Sequence, residues 1–498
     1  MSAAFDAAPV RRAAIGQGSR RQVLLIVGVL LVILGIGMVI PALCDLATGH
    51  PDWSAFLGSA AVTVFVGAAL ALTCWAPPEA ITVRQTFLLT TLSWLAACAF
   101  GALPFVFSSY HLSYTDAFFE TVSGLSTTGA TVMVGLDQAP AGLLIWRSLL
   151  TWLGGIGIIV MAIVVLPFLR VGGMQLFRTE NSDNSQRPFA QVRRMALAIV
   201  VVYLLLTMAS AVGFRIAGMG AFDALNHGMT AIATGGFSTK DTSLGWFGSL
   251  PILWVATVSM LAGALPLTWY IRGVMGPRDG VARDNQVLAL LAVTVLAVGA
   301  MTAWAYSTQP LPFAEALSHS ALNVVSMLTA TGFVSIDYGQ WGGFAVVLIF
   351  CLYFVGGCTG STTGSVKIFR WYVLAGALRR QILRMMMPNR IHVARFNGRP
   401  VGEDVAASVA NFVIAYFLSF GVLSLAVSAT GLDLLTSISA VAACLAGAGP
   451  GLGPLVGPAG NYQPLPGVAK WLLCFAMLLG RLEIFTILVL LSPSYWRR

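Results

Sequence analysis

The chain is 498 residues long, 57% hydrophobic and only 9% charged, against roughly 25% charged in an ordinary soluble domain. That composition excludes a water-soluble fold and leaves a membrane protein. The formal charge is +9, but the basic residues gather at positions 11–21, 170–194, 272–283, 367–399 and 497–498. The positive-inside rule places such stretches in the cytoplasm, which accounts for the excess without nucleic acid.

The first apolar run, residues 23–43, follows Arg11, Arg12, Arg20 and Arg21. It is longer than the roughly 7 to 15 residues of a signal-peptide core, so it is read as a retained span. Hydropathy then places spans at 22–44, 55–74, 85–107, 142–169, 193–217, 250–273, 285–306, 342–373, 405–430 and 467–491. Ten spans put both termini on the same side, the cytoplasm. Basic connections then alternate with ones that carry Asp45, Asp52, Asp116, Asp137, Asp241, Asp337 and Asp433. The seven cysteines and five histidines are scattered without metal-ligand spacing, so free thiols and no metal centre are expected.

Four connections on the acidic side are too apolar and too long for plain loops: residues 116–132, 223–239, 320–336 and 435–453. Each reads as a short helix followed by a glycine turn. The second and third share Ala-Leu-Asn and Thr-Gly, and aligning Gly129, Gly235, Gly332 and Gly449 gives a repeat of roughly 100 residues. The expected fold is an all-α polytopic membrane protein of about ten transmembrane helices. Two extra N-terminal helices (1–78) precede four helix, pore-loop, helix repeats (79–190, 191–283, 284–400 and 401–498) in pseudo-fourfold arrangement.

Irregular backbone at membrane depth survives only where protein or a water-filled cavity surrounds it. Four such loops must therefore meet each other. Around a shared axis their carbonyl oxygens can replace a cation's hydration shell, and helices entering ahead of each glycine point partially negative C-terminal ends inward. The acids Asp116, Glu120, Asp223, Glu315 and Asp433 are expected to add a negative field at the mouth.

With these features the chain resembles the Trk/Ktr/HKT superfamily of potassium transporters, and within it the TrkH branch. The resemblance covers nearly the whole chain. It includes WRSLLTWLGGIGIIV (146–160), GGCTGSTTGSVKIFR (356–370) and GRLEIFTILVLLSP (480–493). It implies that Thr127, Thr128 and Gly129; Ala233, Thr234 and Gly235; Ala330, Thr331 and Gly332; and Gly447, Ala448 and Gly449 form a filter whose carbonyls bind potassium. Potassium is then substrate, with no cofactor in this chain. Gly129, where some relatives carry serine, implies potassium over sodium. The fourth loop lacks Thr before its glycine and carries Pro450, so the filter is unequal.

The span at 342–373 is interrupted by glycine and hydroxyl residues at 356–365, which disfavour a continuous helix. Close helix packing is one reading; the resemblance implies an intramembrane gate that includes Gly356, Gly357, Gly360, Ser361, Gly364 and Lys367. Arg481 lies within the last span, where an arginine costs about 2.5 to 3.5 kcal/mol on insertion scales. Glu483, two residues away, faces elsewhere on a helix, and the resemblance assigns Arg481 to a positive barrier below the filter. Lys367, Arg370, Arg379, Arg380 and Arg384 suit anionic lipid. The resemblance also implies a homodimer in the bacterial inner membrane and a cytosolic TrkA-type nucleotide-binding ring, since this chain has no phosphate loop of its own. Conduction is favoured over symport with sodium or protons, because the repeats run in parallel rather than inverted. No catalytic constellation points to an enzyme.

Overall fold

The computed structural model describes residues 17–75, 82–164, 188–275, 284–389 and 393–497. The basic stretches 11–16, 170–187 and 276–283, and the boundaries expected at 78–79 and 283–284, lie outside those residues. Each of the ten hydropathy segments contains helix within the described residues, which omit 165–169, and the break expected within 342–373 is present. Among the described residues six helices are long and apolar enough to cross a membrane, or up to eight if each of two bent pairs counts once. The bent pairs are Leu250–Ala264 with Leu267–Gly273, at 89°, and Gly467–Arg481 with Phe485–Leu491, at 117°. The segment at 342–373 is helical only in Gly343–Leu352 and Ile368–Met386. Window-averaged hydropathy passes over the single residues Pro266 and Glu483 at the two bends, whereas the glycine-rich break at 356–365 is visible in the sequence.

Phe65, Leu72, Ile216, Val295 and Leu425 lie exposed on the outside of these helices, as a lipid-facing surface requires. The interior holds Phe56, Phe105, Phe119, Trp146 and Tyr203, all fully buried. At the N-terminal end, the first span (Arg21–Thr48) packs on Trp53–Thr73. A side chain on Gly28 would meet the Gly67 carbonyl at 2.6 Å, and one on Gly67 the Gly28 carbonyl at 2.7 Å. This reciprocal contact of backbone on backbone is the small-residue packing that membrane helices use in place of a hydrophobic driving force.

Four shorter helices occupy the re-entrant positions: Tyr114–Leu125, Ala221–Ile232, Phe313–Leu328 and Leu434–Ala446. At 12 to 16 residues they fall short of the roughly 20 needed to cross the hydrocarbon. Their caps are Ser113, Gly220, Pro312 and Asp433. Ser113 accepts from the Asp116 amide at 3.2 Å and Asp433 from the Thr436 amide at 3.0 Å, satisfying donors that a helix start leaves open. The helix following each loop then passes close beneath. In three of the four units a glycine, Gly154, Gly263 or Gly480, sits against a carbonyl at the end of the re-entrant helix, the last at Leu125 and Ile232 and the last but one at Leu445. Two of these helices bend within a few residues of that glycine, one at Pro266 and one around Glu483, whose φ is +58°.

Gly28→Leu is expected to drive the first two spans apart and lower stability by about 1–3 kcal/mol, as overpacking does. Gly58→Ala, on the same hairpin where an added Cβ meets nothing within 4 Å, is expected to hold or raise it. Thermal unfolding of the purified protein in detergent reads both.

Candidate functional site

The four loops close on one another in cyclic order. A Cβ on Gly129 would strike the carbonyl oxygen of Gly235, and one on Gly236 that of Thr331. On Gly332 it would meet the Ala448 oxygen at 2.7 Å, and on Gly449 the Thr128 oxygen at 2.8 Å. Each ring glycine thus abuts the carbonyl just before the next loop's ring glycine, and all four have φ between +65° and +101°, a region side chains resist. The residues two positions earlier, Thr127, Thr234, Ala330 and Gly447, also have positive φ. The amides between, of Thr128, Gly235, Thr331 and Ala448, donate back to Ser123, Thr230, Ser326 and Ala443 at 2.7–2.9 Å.

This geometry corrects the alignment of the second loop. Gly236, not Gly235, is the counterpart of Gly129, Gly332 and Gly449. Gly235 corresponds to Thr128, and Ala233 to Ser126 at the helix end, so the matching triplets are 127–129, 234–236, 330–332 and 447–449. Matching Thr-Gly pairs by identity shifted that loop by one. Counting from the helix caps recovers the register, because cap and ring glycine are 16 residues apart in loops one, two and four.

Polar struts tie each returning strand to its own helix. The Val132 amide donates to Glu120 at 2.9 Å, the Ser335 amide to Asn323 at 3.2 Å and the Leu452 amide to Ser439 at 2.9 Å. In the second loop His227 Nε2 and the Ser238 hydroxyl are 3.0 Å apart. Glu120, His227 and Asn323 each stand nine residues before their ring glycine. Arg147 completes the system, bonding Glu120 at 2.7 Å and the Ser238 carbonyl of the neighbouring loop at 2.8 Å, with its guanidinium 4.1 Å above the Phe237 ring. The sequence reading missed Arg147, although an arginine inside an apolar span was a visible signal.

Glu120 is therefore no mouth charge, being fully buried and ion-paired. Asp116 pairs with Lys470, Asp223 accepts from Thr239 and Asp433 caps its helix. Of the five acids expected to face the mouth, four are engaged in holding structure. The fourth loop is also unequal in a further way: the Tyr462 hydroxyl donates to the Gly449 carbonyl at 2.7 Å, and the Tyr353 hydroxyl to the Pro450 carbonyl at 2.7 Å.

On the side where the re-entrant helices end, residues 353–367 run as irregular backbone with positive φ at Gly356, Gly360, Ser365 and Lys367. The Thr362 hydroxyl lies 3.0 Å from both the Ile232 and Gly263 carbonyls and 3.1 Å from the Thr234 hydroxyl. Gly364 abuts the Ala446 carbonyl. Gly357 packs on Thr363, and Ser361 donates to Cys358 at 2.6 Å. The segment therefore touches the ends of the second and fourth re-entrant helices.

Arg481 is buried and donates to the Thr362 carbonyl at 2.8 Å and the Gly154 carbonyl at 3.1 Å, so it bridges this segment to the first unit. Glu483 faces elsewhere, binding Arg370 at 2.5 Å and Lys367 at 3.7 Å. On the opposite side, a cavity of about 70 Å³ opens above the ring, lined by Gly129, Gly236, Gly332 and Pro450 and walled by Lys240, Asp241 and Asn461.

These features define a multi-pass membrane protein in which four re-entrant loops meet in one ring, with a vestibule on one face and an irregular segment on the other. The sequence pattern of the TrkH family, described as cation transport protein, matches residues 53–273 and 285–498, and the chain belongs to that family. It is 43% identical to the Trk system potassium uptake protein TrkI of Halomonas elongata over 96% of this chain and 97% of that one. It is 38% identical to the Trk system potassium uptake protein TrkH of Escherichia coli K12, over 96% and 99%. The crystal structure of the potassium transporter TrkH from Vibrio parahaemolyticus superposes with a TM-score of 0.88 at 36% identity, covering 96% of this chain and all of that one.

Arg147→Met leaves the Glu120 carboxylate buried and unpaired, and is expected to lower stability by about 3–5 kcal/mol. Adding Glu120→Gln removes the stranded charge and is expected to return part of the loss. A thermal-unfolding double-mutant cycle measures the coupling.

Proposed function

We propose that this chain is a potassium uptake pathway of the bacterial inner membrane, with the cation passing through the ring formed by residues 127–129, 234–236, 330–332 and 447–449. The observation that carries this reading is the cyclic contact of ring glycines with neighbouring carbonyls. Four loops so placed bring backbone oxygens to a common axis, where they can stand in for hydration water. The re-entrant helices end at the ring and direct their partially negative termini toward it. The names of the relatives, potassium uptake proteins, support the choice of cation.

In this reading residues 1–78 form an added hairpin and 79–190, 191–283, 284–400 and 401–498 are four parallel repeats in pseudo-fourfold array. Both termini are cytoplasmic, and two chains associate. Residues 356–365 and Arg481 form the gate. A TrkA-type nucleotide-binding ring in the cytosol acts on it through the basic helix Ile368–Met386. Conduction is preferred to symport because Glu120, the buried carboxylate beside the ring, is ion-paired and so is a poor proton carrier.

Expression of the chain in a potassium-uptake-deficient bacterium is expected to restore growth at low potassium. The register gives a sharper test. A Cβ on Gly235 meets mainly the Thr151 side-chain methyl, whereas on Gly236 it meets the Thr331 backbone. Gly235→Ala should be partly rescued by Thr151→Ser, and Gly236→Ala should not. Growth that survives bulky residues at both Gly129 and Gly236 would refute the ring as the pathway. Arg481→Ala removes the bridge between Thr362 and Gly154 and is expected to raise basal cation flux several-fold in reconstituted vesicles; unchanged flux would remove Arg481 from the gate.

A further inference from the structure

The vestibule above the ring holds two cationic side chains, Arg147 and Lys240, and they are held differently. Arg147 is fully buried and hydrogen-bonded to Glu120 at 2.7 Å, so its charge is cancelled at contact. Lys240 keeps 16% of its side chain exposed, and its ammonium lies 3.8 Å from Asp137, itself 41% exposed. That separation is an ion pair without a hydrogen bond. The ammonium also rests 4.2 Å from the centre of the Trp246 ring.

The backbone that carries Lys240 is fixed. Its amide donates to the Ser238 hydroxyl at 3.1 Å, its carbonyl accepts from the Ser243 amide at 3.1 Å, and the adjoining Asp241 accepts from the Leu136 amide at 3.0 Å. A long side chain on rigid backbone, held loosely by one half-exposed carboxylate and one indole face, puts a movable positive charge at the rim of the vestibule, whose wall also carries the Asp241 carboxylate fixed on the Leu136 amide.

We propose that Lys240 sets cation occupancy of this vestibule, acting as a tethered counter-charge that lowers local potassium concentration when Asp137 is not neutralising it. The inference rests on the ring being the pathway, and it assigns outer access to a residue that takes no part in selectivity. A unit charge about 10 Å from a cation changes its local concentration by roughly twofold in a water-like dielectric and by roughly tenfold in a protein-like one. The effect is screened as the Debye length falls from about 10 Å at 0.1 M salt to about 3 Å at 1 M.

The test is initial potassium uptake into vesicles that contain the full chain, at low potassium with sorbitol as osmolyte and again in 1 M of an impermeant-cation salt. Lys240→Gln is expected to raise low-salt uptake two- to tenfold, Lys240→Arg to match the parent, and Asp137→Asn to lower uptake by freeing the ammonium. All variants should converge at 1 M. Equal low-salt rates for Lys240→Gln and the parent, or a gain that persists undiminished at 1 M, would overturn the proposal. Gly236→Leu runs alongside: if it conducts, the pathway reading has failed, whereas a dead Gly236→Leu beside an unchanged Lys240→Gln rejects only the role of Lys240.

Discussion

The constraint on which the rest depends is the absence of a side chain at four positions. Gly129, Gly236, Gly332 and Gly449 each lie where a Cβ would occupy the space of the next loop's carbonyl. Glycine supplies both the positive φ and the clearance, and neither alone suffices. Because the contacts are cyclic, a displacement at one loop is passed to the next and returns to its origin. The surrounding struts follow from this demand. Backbone at membrane depth has no water to satisfy it, so Glu120, Asn323, Ser439 and Arg147 supply partners from within.

The same economy appears below the ring. Three helices that pass directly under the re-entrant ends do so with glycine at the crossing; two of them then bend, while Ala141–Val164 continues through Gly154 as one helix. The interrupted segment at 353–367 finds its partners in the carbonyls that the re-entrant helices leave open, through Thr362 at Ile232. Arg481 answers two further carbonyls. The ring and the segment beneath it are thus built from separate residues joined by hydrogen bonds a few ångströms long.

Much of this was legible in the chain itself. Apolar runs marked the helical segments because lipid demands them, and four Gly-bearing connections marked the loops because the close crossing at each ring position needs both positive φ and no side chain. Residues 356–365 and Arg481 stood out by violating the surrounding pattern. Three features were not legible, for different reasons. The register of the second loop was lost because two adjacent glycines, Gly235 and Gly236, leave composition ambiguous where only φ decides. Glu120 looked like a mouth acid because its partner Arg147 is 27 residues away and pairs only in the fold. The sharp bends were not read because a window-averaged hydropathy passes over a single Pro266 or Glu483.

One difference among the four units carries a consequence for how such a chain can change over generations. The third re-entrant helix runs from its cap at Pro312 to Gly332 in 20 residues, where the other three take 16. Four extra residues are close to one helical turn of 3.6, so the added length extends the helix outward without rotating the face it turns to the ring. Insertions of one or two residues at that end would instead turn the outer part of the helix away from its neighbours, while Glu120, His227 and Asn323 keep their place nine residues before the ring glycine. The four loop helices are therefore freest to drift in side chains and to grow by whole turns.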